Sequence, residues 1–148
     1  MVSLPVLVDG RAATLHGEEG SPLLGALRAE RRGLPVPRGC DDGACGSCRV
    51  LVEGELVAAC VHRLGAVPPG ARIETAHSLA KDAAARRAVT TFERERPTRC
   101  QLCVPALVVT AVALARRGGK RRDAVDEVLE DAHCACTGRG SLRRALLA

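Results

Sequence analysis

Eight cysteines carry the chemistry of this 148-residue chain, and they fall into two sets of four. Cys40, Cys45, Cys48 and Cys60 are spaced C-x4-C-x2-C-x11-C, while Cys100, Cys103, Cys134 and Cys136 form a C-x2-C pair and, thirty residues on, a C-x-C pair. Four thiolates are what a [2Fe–2S] core needs, and C-x4-C-x2-C is an established spacing for one. A loop that wraps such a core must offer backbone N–H groups and tolerate unusual dihedrals with few side chains in the way. Gly39, Gly43 and Gly46, interleaved with the cysteines, meet that demand. Zinc prefers C-x2-C pairs and accounts for neither the four-residue gap nor the glycines. The second set is ambiguous on spacing alone, since zinc and iron both accept it. Each of its pairs sits just before an expected helix, whose unpaired N–H groups and positive dipole end favour an anionic group.

The redox setting supports metal over disulfides. Met1-Val2-Ser3-Leu4-Pro5-Val6 has no basic stretch followed by an apolar run and a small-residue cleavage site, so a cytoplasmic location is expected. Thiols there stay reduced and serve metal or redox chemistry. The longest apolar stretch, Val104 to Ala115, is too short to span a bilayer. With 47% hydrophobic and 26% charged residues the chain is globular. Its only aromatic is Phe92, so the core must be aliphatic. Small aliphatic cores are marginal, and metals commonly reinforce them.

The elements that must position these cysteines change character midway. Ser3–Val8 and Arg11–Leu15 flank Asp9-Gly10, a two-residue hairpin signal. Ser21 as cap and Pro22 at the first helical position open a helix with Leu23, Leu24 and Leu27 apolar and Gly33 as its stop. A glycine-rich loop from Arg38 to Ser47 follows. Arg49–Val52 and Leu56–Ala59 pair around Glu53-Gly54, and Ala71–Thr75 makes a last strand. Beyond the boundary near Ala76–Ser78 the pattern is helical: Ser78–Arg96, Pro105–Arg117 broken by Gly118-Gly119, Asp123 to Asp131, and Leu142–Leu147 capped by Ser141. The Pro105 helix is apolar nearly all round, which places it in the middle of a bundle. The expectation is an α+β chain, with a sheet domain at 1–77 and a four-helix domain at 78–148. Charge divides the same way: residues 1–78 hold 8 basic and 9 acidic side chains, residues 79–148 hold 14 and 8.

Two blocks carry a family resemblance: Gly39-Cys40-Asp41-Asp42-Gly43-Ala44-Cys45-Gly46-Ser47-Cys48-Arg49-Val50-Leu51-Val52, and Cys134-Ala135-Cys136-Thr137-Gly138. In this order, with Cys60 and the Cys100/Cys103 pair, the chain resembles the small iron–sulfur subunit of the molybdenum hydroxylases, the family of xanthine dehydrogenase, aldehyde oxidase and carbon monoxide dehydrogenase. The resemblance implies an N-terminal β-grasp ferredoxin-like domain and a C-terminal four-helix bundle, each holding one [2Fe–2S] cluster. It implies a large partner subunit with a molybdenum–pterin cofactor and a medium subunit with FAD. Electrons would pass from the pterin to the cluster on Cys100, Cys103, Cys134 and Cys136, then to the cluster on Cys40, Cys45, Cys48 and Cys60, then to FAD or another acceptor. The chain departs from the family pattern at Arg99, where a Gln contacting the pterin is usual, at Val104-Pro105-Ala106 for Thr-Pro-Gly, at Ala135 for Arg and at Arg139 for an aromatic. Arg99 is then the residue expected on the pterin side.

Other side chains promise less. His62 follows Cys60 as C-x-H, but a Rieske site needs two such pairs; His133 abuts Cys134, where it could bind zinc, and His16 and His77 have no partner motif. Arg38, Arg49, Arg99 and Arg139 lie beside or near cysteines, where positive charge raises a cluster's potential. The basic run from Arg116 to Arg122 lacks interleaved aromatics and reads as a solvated helix end rather than a nucleic-acid surface. No nucleophile–base set, phosphate loop or paired carboxylate stands out, so the chain is expected to relay electrons without binding substrate. Two alternatives remain: a free-standing two-cluster carrier, and a ferredoxin domain joined to a zinc-stapled helical module.

Overall fold

The computed structural model describes residues 1–30, 36–95, 101–119, 121–130 and 138–148. Five strands form one mixed sheet: β1 (Val2–Val8), β2 (Arg11–Gly17), β3 (Arg49–Val52), β4 (Glu55–Ala58) and β5 (Arg72–Glu74), in the order β2-β1-β5-β3-β4. The two hairpins, β1–β2 and β3–β4, are antiparallel, β5 pairs antiparallel with β3, and β5 runs parallel to β1 between them. Both hairpin turns have positive φ at their two central residues, Asp9 at 51° with Gly10 at 78° and Glu53 at 50° with Gly54 at 83°. That is the turn twist which matches flanking strands, and it explains why an acidic residue followed by glycine closes each.

β3 shows how the two halves of the chain meet. Val50, Leu51 and Val52 are all buried, and successive side chains on a strand face opposite ways. Val50 and Val52 join a core with Val6, Leu15, Ile73 and the apolar side of α1 (Leu23–Ala29). Leu51 belongs to a second core with Val108, Val109 and Val112 of α4 (Val104–Arg116). The sheet is therefore covered on both faces. This also refines the place of α4: its all-round apolar surface is buried against the sheet as well as against other helices. A third core gathers Phe92, Leu107, Leu114, Val125, Leu129, Leu142 and Leu146. It is contributed by α3 (Ala83–Glu95), α4, α5 (Arg122–Glu130) and α6 (Gly138–Leu147).

Several boundaries differ from expectation for local reasons. The expected Ser78–Arg96 helix is split into α2 (Ala76–Leu79) and α3, because Asp82 Oδ1 accepts from the Ala84 N–H and starts a new helix. Ser21 does not cap α1; its hydroxyl donates to the Glu18 carbonyl, and Pro22 occupies the cap position. Ser141 lies inside α6, which begins at Gly138, φ 70°. Gly118 and Gly119, at φ 100° and 119°, end α4 as expected. Gly33 lies outside the described residues.

The basic end of α4 is committed within the chain. Arg116 bridges to Glu74 of β5 and Arg117 to Glu55 of β4, at 2.7 Å and 2.6 Å. Both pairs are largely exposed, so they orient α4 on the sheet more than they stabilise it. Asp9 does more at the same junction. Its carboxylate accepts from the Thr75 N–H and hydroxyl, both at 2.7 Å, and from the Ser78 hydroxyl at 2.6 Å. Asp9→Ala should lower stability by about 2–4 kcal/mol, since it orphans donors of charge-assisted hydrogen bonds. A lower urea midpoint at unchanged slope is the expected readout. Asp9→Asn, which keeps the turn preference and one acceptor, should lose less.

Among the described residues no helix is long and apolar enough to cross a membrane.

Candidate metal centre

The first four cysteines are brought together by two connections. Cys40 and Cys45 sit in the loop leading to β3, Cys48 directly precedes β3, and Cys60 lies in the turn after β4. The β3–β4 hairpin carries Cys60 back to Cys48, and the Ala59 N–H donates to the Cys48 carbonyl at 3.3 Å. The loop bends tightly, with positive φ at Asp41 (66°), Gly43 (84°) and Gly46 (69°). Asp42 Oδ1 accepts from the Ala44 N–H at 3.0 Å, an Asx turn that holds the bend. Arg38 pairs with both oxygens of Asp41 beside Cys40.

Backbone donors already point at sulfur. Cys45 N–H donates to Cys40 Sγ at 3.3 Å, Ser47 N–H to Cys45 Sγ at 3.4 Å, and Cys60 N–H to Cys48 Sγ at 3.3 Å. The Ser47 hydroxyl, itself buried, lies 3.1 Å from Cys45 Sγ. Such donors stabilise thiolates and the anionic core they hold. Gly39 shows how closely the loop is drawn in: a Cβ there would stand 2.6 Å from Cys45 Sγ and 2.9 Å from Ser47 Oγ.

The thiols fall into pairs. The Cys45 N–H bonds the Cys40 sulfur and the Cys60 N–H bonds the Cys48 sulfur, which sets Cys40 with Cys45 and Cys48 with Cys60. Two adjacent pairs suit a two-iron core, in which each iron takes two protein sulfurs. The donor set, the N–H groups aimed at sulfur and the cramped position of Gly39 all fit a [2Fe–2S] cluster.

Cys45 and Cys60 differ in acidity. Burial pushes the Cys60 thiol up, reinforced by its neighbour Cys48, to about 12. At Cys45 burial acts in the same direction but is outweighed by hydrogen bonds from the Ser47 hydroxyl and N–H and from Cys40, so its thiol lies below the ordinary value. Only the thiolate is nucleophilic. In cluster-free protein near pH 8, brief iodoacetamide treatment should therefore label Cys45 more than tenfold faster than Cys60, as peptide mass mapping would measure. The gap should narrow as pH rises toward the Cys60 value. Asp42 is held below the usual carboxylate range by hydrogen bonds from the Cys40 thiol and the Ala44 N–H.

Of the second set only Cys103 is described; Cys100, Cys134 and Cys136 lie outside the described residues, as do Arg99 and His133. Cys103 stands at the N-terminal end of α4. It lines a cavity of about 30 Å³ together with Cys45, Gly46, Arg49, Thr110 and Leu129, so a member of one cysteine set faces the loop of the other. Arg49 crosses this junction, donating to the Val128 carbonyl at 2.6 Å and the Thr110 hydroxyl at 3.3 Å. Sequence reasoning singled out Arg49 for its charge and missed its reach; no local pattern signals a contact sixty residues away. Arg139 donates to the Glu130 carbonyl. His16 is paired with Ser3, and the buried His62 Nε2 has no partner among the described residues.

Comparison with known proteins agrees with this chemistry. Residues 6–80 match the model of the 2Fe-2S iron-sulfur cluster binding domain. The chain is 29% identical over 140 residues to the xanthine dehydrogenase iron-sulfur-binding subunit of Escherichia coli O157:H7, covering 93% of this chain and 87% of that relative. It superposes on quinoline 2-oxidoreductase from Pseudomonas putida 86 with a TM-score of 0.78 at 27% identity, covering 99% of this chain and 90% of the other. It also superposes on the aldehyde oxidoreductase of Desulfovibrio desulfuricans ATCC 27774 with a TM-score of 0.82 at 25% identity. There it spans 99% of its own length but 17% of the much longer chain.

Proposed function

Because this chain belongs to the family of 2Fe-2S iron-sulfur cluster binding domains, and within it to the small iron–sulfur subunits of the molybdenum hydroxylases, we propose that it relays electrons from a molybdenum–pterin centre on a larger partner to FAD or another acceptor. Residues 1–77 form a β-grasp ferredoxin-like domain and residues 78–148 a four-helix bundle, each built around one cluster. Cys40, Cys45, Cys48 and Cys60 hold the first; Cys100, Cys103, Cys134 and Cys136 hold the second. When bound, each [2Fe–2S] cluster accepts and releases one electron at a time.

The chain's own residues set the conditions for that exchange. The Cys45, Ser47 and Cys60 N–H groups donate to ligand sulfurs, which favours the added negative charge of reduction. Cys48 and Cys60, at 2% and 5% exposed, keep one side of the site dry, while Cys40 and Cys45 lie nearer the surface. The observation that carries the reading is the pair of thiol pairs with N–H donors already aimed at sulfur, inside the segment that matches the family. Arg99 stands where the family presents a side chain to the pterin, so docking proceeds with a cation at that contact. The large subunit carries the pterin and a medium one the FAD, in the cytoplasm.

Native purification tests the assignment. The chain should elute with a much larger protein that contains molybdenum and pterin. A native complex that retains its iron but contains neither would refute the docking.

A further inference from the structure

The two cysteine sets are read above as separate metal sites, yet their sequence separation says nothing of how the halves are held in contact. Arg49 does this. It follows the ligand Cys48, and its guanidinium leaves the sheet to donate to the Val128 carbonyl of α5 at 2.6 Å and to the Thr110 hydroxyl of α4 at 3.3 Å. Thr110 is 2% exposed, a hydroxyl inside an otherwise apolar helix face, where only a partner justifies its burial. Beside these bonds lies the cavity of about 30 Å³ that Cys45 and Gly46 share with Cys103. It has room for about one water molecule. Cys45 and Cys103 are opposed across this gap, which Arg49 lines together with Leu107, Thr110 and Leu129.

We propose that Arg49 is a positioning residue for inter-cluster electron transfer: by tying the Cys48 end of β3 to α4 and α5, it fixes the Cys45–Gly46 edge of the first site against Cys103 of the second, making this junction the passage between them. A planar guanidinium with several fixed donors can grip two acceptors on different helices at once, which a lysine cannot reproduce. Because Arg49 adjoins a ligand on one side and binds both helices on the other, displacement of either half is transmitted to the other. With both clusters bound, this gap would be where one electron passes between them; Arg49 itself would make or break no bond and carry no proton.

The inference rests on the two-cluster reading, and one experiment separates their failures. The full chain, loaded with iron and sulfide and completely reduced with dithionite, is examined by low-temperature EPR alongside Arg49→Ala, Arg49→Lys and Thr110→Val. Wild type should show two signals with mutual spin–spin splitting. Arg49→Ala should keep both signals and full iron content but show a clearly smaller splitting, since the Leu51–Val108 core still holds the halves together. Arg49→Lys, with one donor direction left, should restore part of it, and Thr110→Val should weaken it without abolishing it. If Arg49→Ala does not load fully, the Lys and Val variants decide alone. Unchanged splitting in the loaded variants, or two wild-type signals with no splitting, overturns the role of Arg49 while leaving both clusters in place. A single wild-type signal with half the iron overturns the two-cluster reading itself.

Discussion

Cys48→Ser should abolish the cluster of the loop and leave the other, lowering bound iron from about four to about two per chain. Cys48 is the least replaceable of the four ligands for structural reasons. It is 2% exposed, it is hydrogen-bonded to Cys60, and its sulfur accepts the Cys60 N–H. A serine oxygen is a harder and less acidic ligand and sits closer to the backbone, so it reaches neither the position nor the charge that the site demands. Loss should appear as disappearance of one EPR signal of the reduced chain, with the signal of the Cys103 site unchanged. If both signals vanish together, the two sets do not form separate sites.

Gly39→Ala should have a comparable effect without touching a ligand. The added methyl would stand 2.6 Å from Cys45 Sγ, inside contact distance, and 2.9 Å from Ser47 Oγ, so sulfur or loop must shift. The sulfur is part of the binding geometry, and Ser47 is buried with nowhere to go. Reconstituted Gly39→Ala should therefore bind about half the iron of the unaltered chain. Gly54→Ala is the informative contrast. Gly54 also has positive φ, 83°, but nothing lies within 4 Å of an added Cβ. Its cost should be backbone strain alone, about 1–2 kcal/mol in unfolding, with full iron content. Equal iron content in the two variants would mean that crowding at Gly39 does not govern the site.

How much of this was legible in the sequence depended on whether the cause was local. The hairpins at Asp9-Gly10 and Glu53-Gly54 were readable because a two-residue turn dictates its own residue types. The tight loop that gathers Cys40, Cys45 and Cys48 was readable because its cysteine spacing and glycine content go together. The break between α2 and α3 was missed because Ala, Arg and Leu on both sides share one helical pattern, and the single Asp82 that divides them looks like any exposed acid. Non-local features left no trace at all. Asp9 reads as a turn residue, yet its carboxylate gathers Thr75 and Ser78 at the junction of the two halves. Arg116 and Arg117 read as a solvated helix end, yet they pair with Glu74 and Glu55. The apolar surface of α4 was legible as buried but not as shared between sheet and helices, because hydropathy records that a face is covered and not by what.

The covering of both sheet faces also bears on function. Leu51 packs with Val108, Val109 and Val112, so the sheet that ends in Cys48 and the helix that begins after Cys103 share one core. An electron relay needs fixed distances more than it needs motion, and the shared aliphatic core supplies them together with the Arg49 bonds.

The most direct test of the central claim is the metal and sulfide content of the full chain after anaerobic reconstitution, taken together with its EPR spectrum. The two proposed four-cysteine sites predict about four iron and four acid-labile sulfides per chain, no zinc, and two distinguishable signals on reduction. Stoichiometric zinc, or iron that binds without sulfide, would contradict it.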